Sequence, residues 1–519
     1  MPLAAACDSA RRGVSASVPF LVGRPSATSL RRRETDVRAV IFDSMSARTH
    51  DVVVLVPGIM GSELLDAESG ATLWGLRDLH WYVRAWSTGA GLAALSLTDD
   101  ERQGRYGRVA PGRMLRFPAF ARVLAGFEPY QRLIDAARAA VMFPDSQIVE
   151  FGYDWRLPVA HNGARLVEEA GKALTAWRAD PRHDLARRGH PTGREARLVI
   201  VAHSMGGLLA RWLAAHDRTL AAEVRATVTL GTPFYGSVKA AVLLNSGRGT
   251  PLPARRPLTK AWRTGGDEGV RRLASTLPGL HDLLPAYRCV DEGTSGRRLT
   301  EADASAFGAD AELTRAAFAM HEELRDVPLP GHRNVVGAFQ PTRQSIRLDH
   351  GEVTAHEGLW VDGAGGARWA DEGGDGTVYR RAASLDAAGP AHTYLPQQHG
   401  ALARTDEACT LVRGVISEQD LDRLGPPLAG GGLGMELPDM VLAGAPVTAR
   451  VTGIDGPRDA VCRVLDTATG RMIGMAPIVS RDGHWHAVLT LAGPGLYRVE
   501  LAGGGYSSVT QLLLVADPL

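Results

Sequence analysis

Cysteine is scarce in this 519-residue chain: Cys7, Cys289, Cys409 and Cys462 stand far apart, with no C-x-x-C pair and no spacing that suits a metal. That scatter argues against a disulfide-built scaffold and fits a reducing compartment. Long hydrophobic runs are missing as well. No apolar stretch reaches the roughly 18 residues that a bilayer-crossing helix needs. Charge of one sign is not in excess either, since 58 Lys and Arg face 57 Asp and Glu for a net charge of +1. The total therefore gives no reason to expect a nucleic-acid partner. Aromatic residues make up only 6% of the chain, which is little support for a surface patch that inserts into a membrane. Neither a cofactor nor a metal is expected.

What remains is an ordinary globular composition, 45% apolar and 22% charged, in a chain long enough for two or three domains. Residues 1–45 are rich in Arg, Ser and Ala and poor in acids, and their one early apolar run is too short for a secretory signal. They read as a disordered leader, with a transit peptide or an over-extended start ahead of Met45 as alternatives. The expected compartment is the cytoplasm. Between 46 and 424 apolar runs alternate with helical patterns, which predicts an α/β fold with a parallel sheet covered by helices. Strands are expected at Val52 to Val56, Gln147 to Phe151, Leu198 to Ala202, Val224 to Leu230 and Asn334 to Gly337, with helices in YQRLIDAARAAV and ARLVEEAGKALTAW. Two intervals, near 75–146 and 239–330, are too long for simple crossovers and are expected as lid or cap insertions. GPPLAGGGLG at 425–434 reads as a linker. Residues 435–519 then carry short alternating runs, among them VTARVTGI, AVCRVLD and SVTQLLLVA, which predict a small all-β domain of immunoglobulin-like sandwich type.

The stretch LVIVAHSMGGLLARWLAAH, residues 198–216, passes from β-branched residues through one serine into a helical pattern. A strand that turns sharply into a helix leaves its apex residue projecting above the sheet and needs small neighbours for clearance; A-H-S-M-G is a form of the G-x-S-x-G nucleophile elbow. Ser204 is the expected nucleophile, and a serine needs a base that is itself oriented by a third group. On such a fold acid and histidine follow in that order. Asp375 in DEGGDGTVYRR is the candidate acid, with Asp371 a rival four residues upstream. His399 in LPQQHGALAR is the candidate base, with His392 its nearest competitor. An oxyanion needs two backbone N–H donors. One is expected from Met205, after the serine, and the other from Ile59 in VVVLVPGIMGSEL, where Pro57, Gly58 and Gly61 turn the chain out of its strand.

LVPGIMGSEL, FGYDWRLP, VAHSMGGLLAR, LGTPFYGS and GGDGTV occur in this order, and the chain from about 50 to 415 resembles the lecithin:cholesterol acyltransferase family. The resemblance implies an α/β-hydrolase fold with lid or cap insertions and O-acyltransferase or lipase chemistry. Ser204, Asp375 and His399 match the family's triad, and Ile59 and Met205 its oxyanion donors. Tyr153, Asp154, Trp155 and Arg156 match a hallmark with a structural role beneath the site, and residues 275–287 resemble a late cap segment. Two departures stand out: residues 62–150 contain no cysteine, whereas animal members carry a cysteine-bridged lid, and the C-terminal β-domain lies outside the animal pattern. The implied partner is a lipid or other acyl ester, met from the water side with transient membrane-surface contact. An esterase for a soluble ester is a second reading. A third, of another class, is a binding or effector protein whose β-domain recruits a protein partner.

Overall fold

The computed structural model describes residues 48–75, 94–116, 119–121, 125–127, 129–247, 260–363, 366–385, 391–419, 431–503 and 505–516. The expected leader, with Cys7 and Met45, lies outside them.

A six-stranded sheet is built from β1 (Val52–Val56), β2 (Ile148–Glu150), β3 (Leu198–His203), β4 (Val224–Leu230), β5 (His332–Gly337) and β6 (Ala391–Leu395). Its order is β6-β5-β4-β3-β1-β2, and every neighbouring pair is parallel. Helices α1 (Gln131–Ala140), α2 (Val159–Ala179), α3 (Gly206–His216) and α4 (Asp406–Ile416) cover it. A parallel sheet packed on both faces requires apolar side chains in both directions, and every residue of β1 and β3 is buried. Alternate residues serve opposite cores. Val53, Leu55, Val199 and Val201 pack with Leu133 and Ile134 of α1 and Val412 of α4. Val52, Val54, Val56 and Ile200 pack with Leu166 of α2 and Leu208 of α3. The chain runs from β1 out to β2 and returns on the far side of β1 as β3. The strand order therefore reverses between β1 and β3, whose carboxyl ends frame the crevice where such sheets bind ligands.

Several expectations change in detail. Strand β6 is additional to the expected strands: AHTYL is short and carries His392 and Thr393 between its apolar residues, so its pattern is weak. Strand β2 is one residue shorter at each end than expected: Gln147 closes a short helix, and its side chain donates to the Thr49 and Asp51 carbonyls. Within 75–146, α1 is no part of a cap; it packs against the central sheet. Residues 239–330 likewise contribute Leu243, Leu244 and Leu324 to the core that contains Val54.

The C-terminal region forms a four-stranded and a five-stranded sheet around a core that includes Val451, Cys462, Val499 and Leu513. Pairing is antiparallel except where Met440–Leu442 runs parallel to the last strand. Two of its strands reach back toward the larger sheet, β7 (Gly434–Glu436) and β8 (Tyr506–Ala516). Strand β7 starts inside the stretch expected as a linker, and Leu433 before it is fully buried.

At the amino end of the sheet, buried Asp51 ties four segments together. Its carboxylate accepts from both Nη atoms of Arg194 at 2.6 and 2.8 Å, from Arg225 Nε at 2.6 Å and from the Arg197 N–H at 2.7 Å. Arg225 in turn donates to the Val415 and Ile416 carbonyls at the end of α4. Burial alone would raise the Asp51 pKa, but the two guanidinium groups outweigh it and hold the carboxyl at about 2. The folded value lies below that of an unfolded Asp, roughly 3.9. The contribution is therefore complete above pH ~4 and is lost as pH falls toward 2. Asp51→Asn should lower unfolding free energy at pH 7 by about 2 kcal/mol, since it leaves the partly buried Arg194 and Arg225 with Glu418 as their one remaining carboxylate partner among the described residues. Denaturant titrations of both proteins should show that deficit shrinking between pH 4 and 2.

Candidate active site

Ser204 stands at the apex between β3 and α3 with φ 52°, a left-handed conformation that non-glycine residues rarely hold. Its N–H donates to the Leu230 carbonyl at 2.9 Å, which pins the apex to the end of β4. The elbow also needs a glycine two residues on: a Cβ at Gly206 would lie 2.6 Å from the Pro57 carbonyl oxygen. Ala202, in place of the first glycine of the motif, is wholly buried within β3.

The structure brings Ser204, His399 and Asp375 together. Ser204 Oγ lies 2.8 Å from His399 Nε2, and His399 Nδ1 lies 2.7 Å from Asp375 Oδ2. A carboxylate only accepts, so Nδ1–H donates to Asp375 and the Nε2 lone pair accepts from the serine hydroxyl. The second carboxylate oxygen accepts from the Thr377 and Val378 N–H groups at 3.0 and 2.7 Å. The His399 N–H donates to the Asp375 carbonyl at 2.8 Å. Backbone at the end of β4 makes room for the pair: Gly231 has φ 59°, and a Cβ there would sit 3.0 Å from Asp375 Oδ2. Asp371, the rival acid, accepts instead from Gln344 Nε2 and the Gly373 N–H. His392 lies in β6, with Nδ1 3.3 Å from Asn334 Nδ2.

Ile59 lines a cavity of about 30 Å³ together with Ser204, Ser237, Lys239, Leu283 and His399. Among the described residues no hydrogen bond engages the Ile59 or Met205 N–H. The turn that carries Ile59 is held by groups the sequence reading missed. The Gly58 N–H donates to Tyr130 Oη at 3.0 Å, Tyr130 Oη lies 2.8 Å from His203 Nδ1, and His203 Nε2 lies 3.0 Å from the His399 carbonyl. A carbonyl only accepts, so Nε2–H donates to it, and Nδ1 accepts from the tyrosine hydroxyl. This chain requires a neutral imidazole. Burial, reinforced by the His399 ring, pushes the His203 pKa down to about 3. The one available signal was a histidine at the end of an otherwise apolar run; nothing in the sequence links it to Tyr130.

The Y-D-W-R residues lie directly against this machinery. Tyr153 Oη donates to the Pro57 carbonyl at 3.0 Å, and Asp154 and Glu101 both pair with fully buried Arg156. Residues 275–287 dock on the same segment through the Gly279 N–H, which donates to the Arg156 carbonyl at 3.1 Å.

Residues 187–246, which carry β3, Ser204, α3 and β4, match the PGAP1-like alpha/beta domain family. The likeness is to an alpha/beta hydrolase-type family. It is not specific to the lecithin:cholesterol acyltransferases. No curated protein matches the chain. Among solved structures, 17% of this chain is similar to 80% of the superoxide reductase (neelaredoxin) from Ignicoccus hospitalis, at 13% identity and a TM-score of 0.13, a likeness that carries no argument. Among the described residues no helix is long and apolar enough to cross a membrane.

Tyr130→Phe removes the hydroxyl that serves both Gly58 and His203. It should cost about 1–3 kcal/mol, the penalty for stranding buried polar groups, measured by thermal or denaturant unfolding. His203 also sets a pH dependence. Its folded pKa lies below the unfolded value near 6.5, so its contribution is whole above that pH and is lost as pH falls toward 3.

Proposed function

We propose that the chain is a serine hydrolase of acyl esters, working through an acyl-enzyme on Ser204. The observation that carries this reading is the unbroken hydrogen-bonded run from Ser204 through His399 to Asp375, at 2.8 and 2.7 Å. His399 takes the hydroxyl proton as Ser204 attacks the carbonyl, then returns it to the leaving alcohol. Asp375 keeps the proton on Nδ1 and steadies the imidazolium that forms. The Ile59 and Met205 N–H groups hold the oxyanion. Water then releases the acyl group, as in a lipase, or an alcohol accepts it, as in an acyltransferase.

Lipid esters are the favoured substrate class. The motif order that resembles the lecithin:cholesterol acyltransferases supports this, as does the match of residues 187–246 to a PGAP1-like domain. A second reading, a short soluble ester, has one observation in its favour: the cavity beside Ser204, about 30 Å³, has room for a few heavy atoms only. A long acyl chain would need that cavity to open further.

Hydrolysis of a short and a long p-nitrophenyl ester tests both points. Ser204→Ala and His399→Ala should each lower turnover by about three to six orders of magnitude while the protein stays folded. Preference for the long ester supports a lipid substrate, and preference for the short one supports the soluble-ester reading. Turnover that survives Ser204→Ala would overturn the mechanism.

A further inference from the structure

The loops that carry Asp375 and His399 do not stand alone at the carboxyl end of the sheet. Three glutamines bind them to the C-terminal β-domain. Gln397 is only 4% exposed; its Nε2 donates to the Ser508 carbonyl at 2.9 Å, and its Oε1 accepts from the Thr510 N–H at 3.0 Å. The side-chain amide thus pairs with β8 as a peptide group of a neighbouring strand would. Gln340, 1% exposed, repeats the device on the other edge. Its Nε2 donates to the Leu433 carbonyl at 2.9 Å, and its Oε1 accepts from the Met435 N–H at 3.1 Å. Gln398 joins the two, donating to Gln340 Oε1 at 3.1 Å and to the Met435 carbonyl.

Each contact acts on a loop of the site. Gln397 and Gln398 immediately precede His399, and the Gln340 N–H donates to the carbonyl of Gly374, the residue before Asp375, at 3.0 Å. The acceptors and donors, in β8, in β7 and at Leu433 just before it, are main-chain groups, so loss of the domain would strand buried amides beside the histidine and the acid. Arg450 of the β-domain crosses the same interface in its ion pair with Glu357 at 2.6 Å, and within the domain it pairs with Glu436 of β7 at 3.0 Å.

We propose that the β-domain is a positioning element of the active site rather than an accessory module: β7 and β8, through Gln340, Gln397 and Gln398, hold His399 and Asp375 in line with Ser204. The proposal rests on the serine-hydrolase reading above, and it makes Gln397 a positioning residue for that reaction.

The test uses the full chain with two variants, Gln397→Ala and Arg450→Ala, and two readouts. One is the split of kcat from KM on a short p-nitrophenyl ester; the other is the low-field imidazole N–H proton signal of the His399 to Asp375 hydrogen bond. Gln397→Ala should lower kcat by about 10–100-fold, the scale set by small misplacements of reacting groups. KM should stay within about twofold, and the proton signal should broaden or vanish. Arg450→Ala removes the pair with Glu357 but no bond to the loops of Asp375 and His399, and the three glutamine contacts remain, so it should keep kcat and the signal. If both variants lower kcat only in step with their melting temperatures, or if Gln397→Ala leaves kcat and the signal intact, the domain merely stabilises the fold and the proposal falls. Should Gln397→Ala fail to fold, Gln398→Ala, which removes one bond to each of Gln340 and Met435, is measured in its place against the same outcomes. Absence of any Ser204-dependent turnover in the unaltered chain would overturn the hydrolase reading instead. The proton signal needs no substrate and would still decide whether the β-domain sets the histidine.

Discussion

A non-glycine residue held in the left-handed region costs about 1–3 kcal/mol and persists only where its surroundings over-determine it. Ser204, at φ 52°, is held on every side. Its N–H is bound to the end of β4. Gly206 lets the turn press against Pro57, and β3 is buried between two cores. The strain has a use: it lifts the hydroxyl out of the sheet at the point where the strand order reverses. Everything else in the site is arranged around that fixed oxygen, from the β1 turn on one side to the β4, β5 and β6 ends on the other.

Around the apex, buried polar groups are kept neutral or paired, as a dry interior demands. His203 is an uncharged relay whose two nitrogens join the Tyr130 hydroxyl to the His399 carbonyl. It links the turn carrying Ile59 with the loop carrying His399, so both are referenced to the residue next to Ser204. Asp375 is held by the backbone N–H groups of Thr377 and Val378, and Arg156 is matched by Asp154 and Glu101. The amide pairing of Gln340 and Gln397 extends this frame into the β-domain.

What could be read from the sequence was what is encoded locally. The elbow is legible because period, residue size and a hydroxyl change within a few positions, and Gly-Asp-Gly marks a turn whatever surrounds it. Chain order then ranked Asp375 and His399 among many acids and histidines, though only geometry separates Asp375 from Asp371. The interactions that escaped are those whose partners lie far apart: Tyr130 meets His203 across 73 residues, and Gln397 meets Ser508 across 111. The Pro/Gly stretch after α4 suggested an independent module for the same reason. Composition reports a break in pattern, but it does not reveal that Leu433 and Met435 return to pair with Gln340.

The central claim is that Ser204 is an activated nucleophile, and the most direct measurement is the intact mass of the protein after incubation with a fluorophosphonate. The account predicts a single phosphonyl adduct, mapped by peptide digestion to Ser204, that forms far more slowly in His399→Ala. A folded protein that acquires no adduct, or acquires it at another residue, would contradict it.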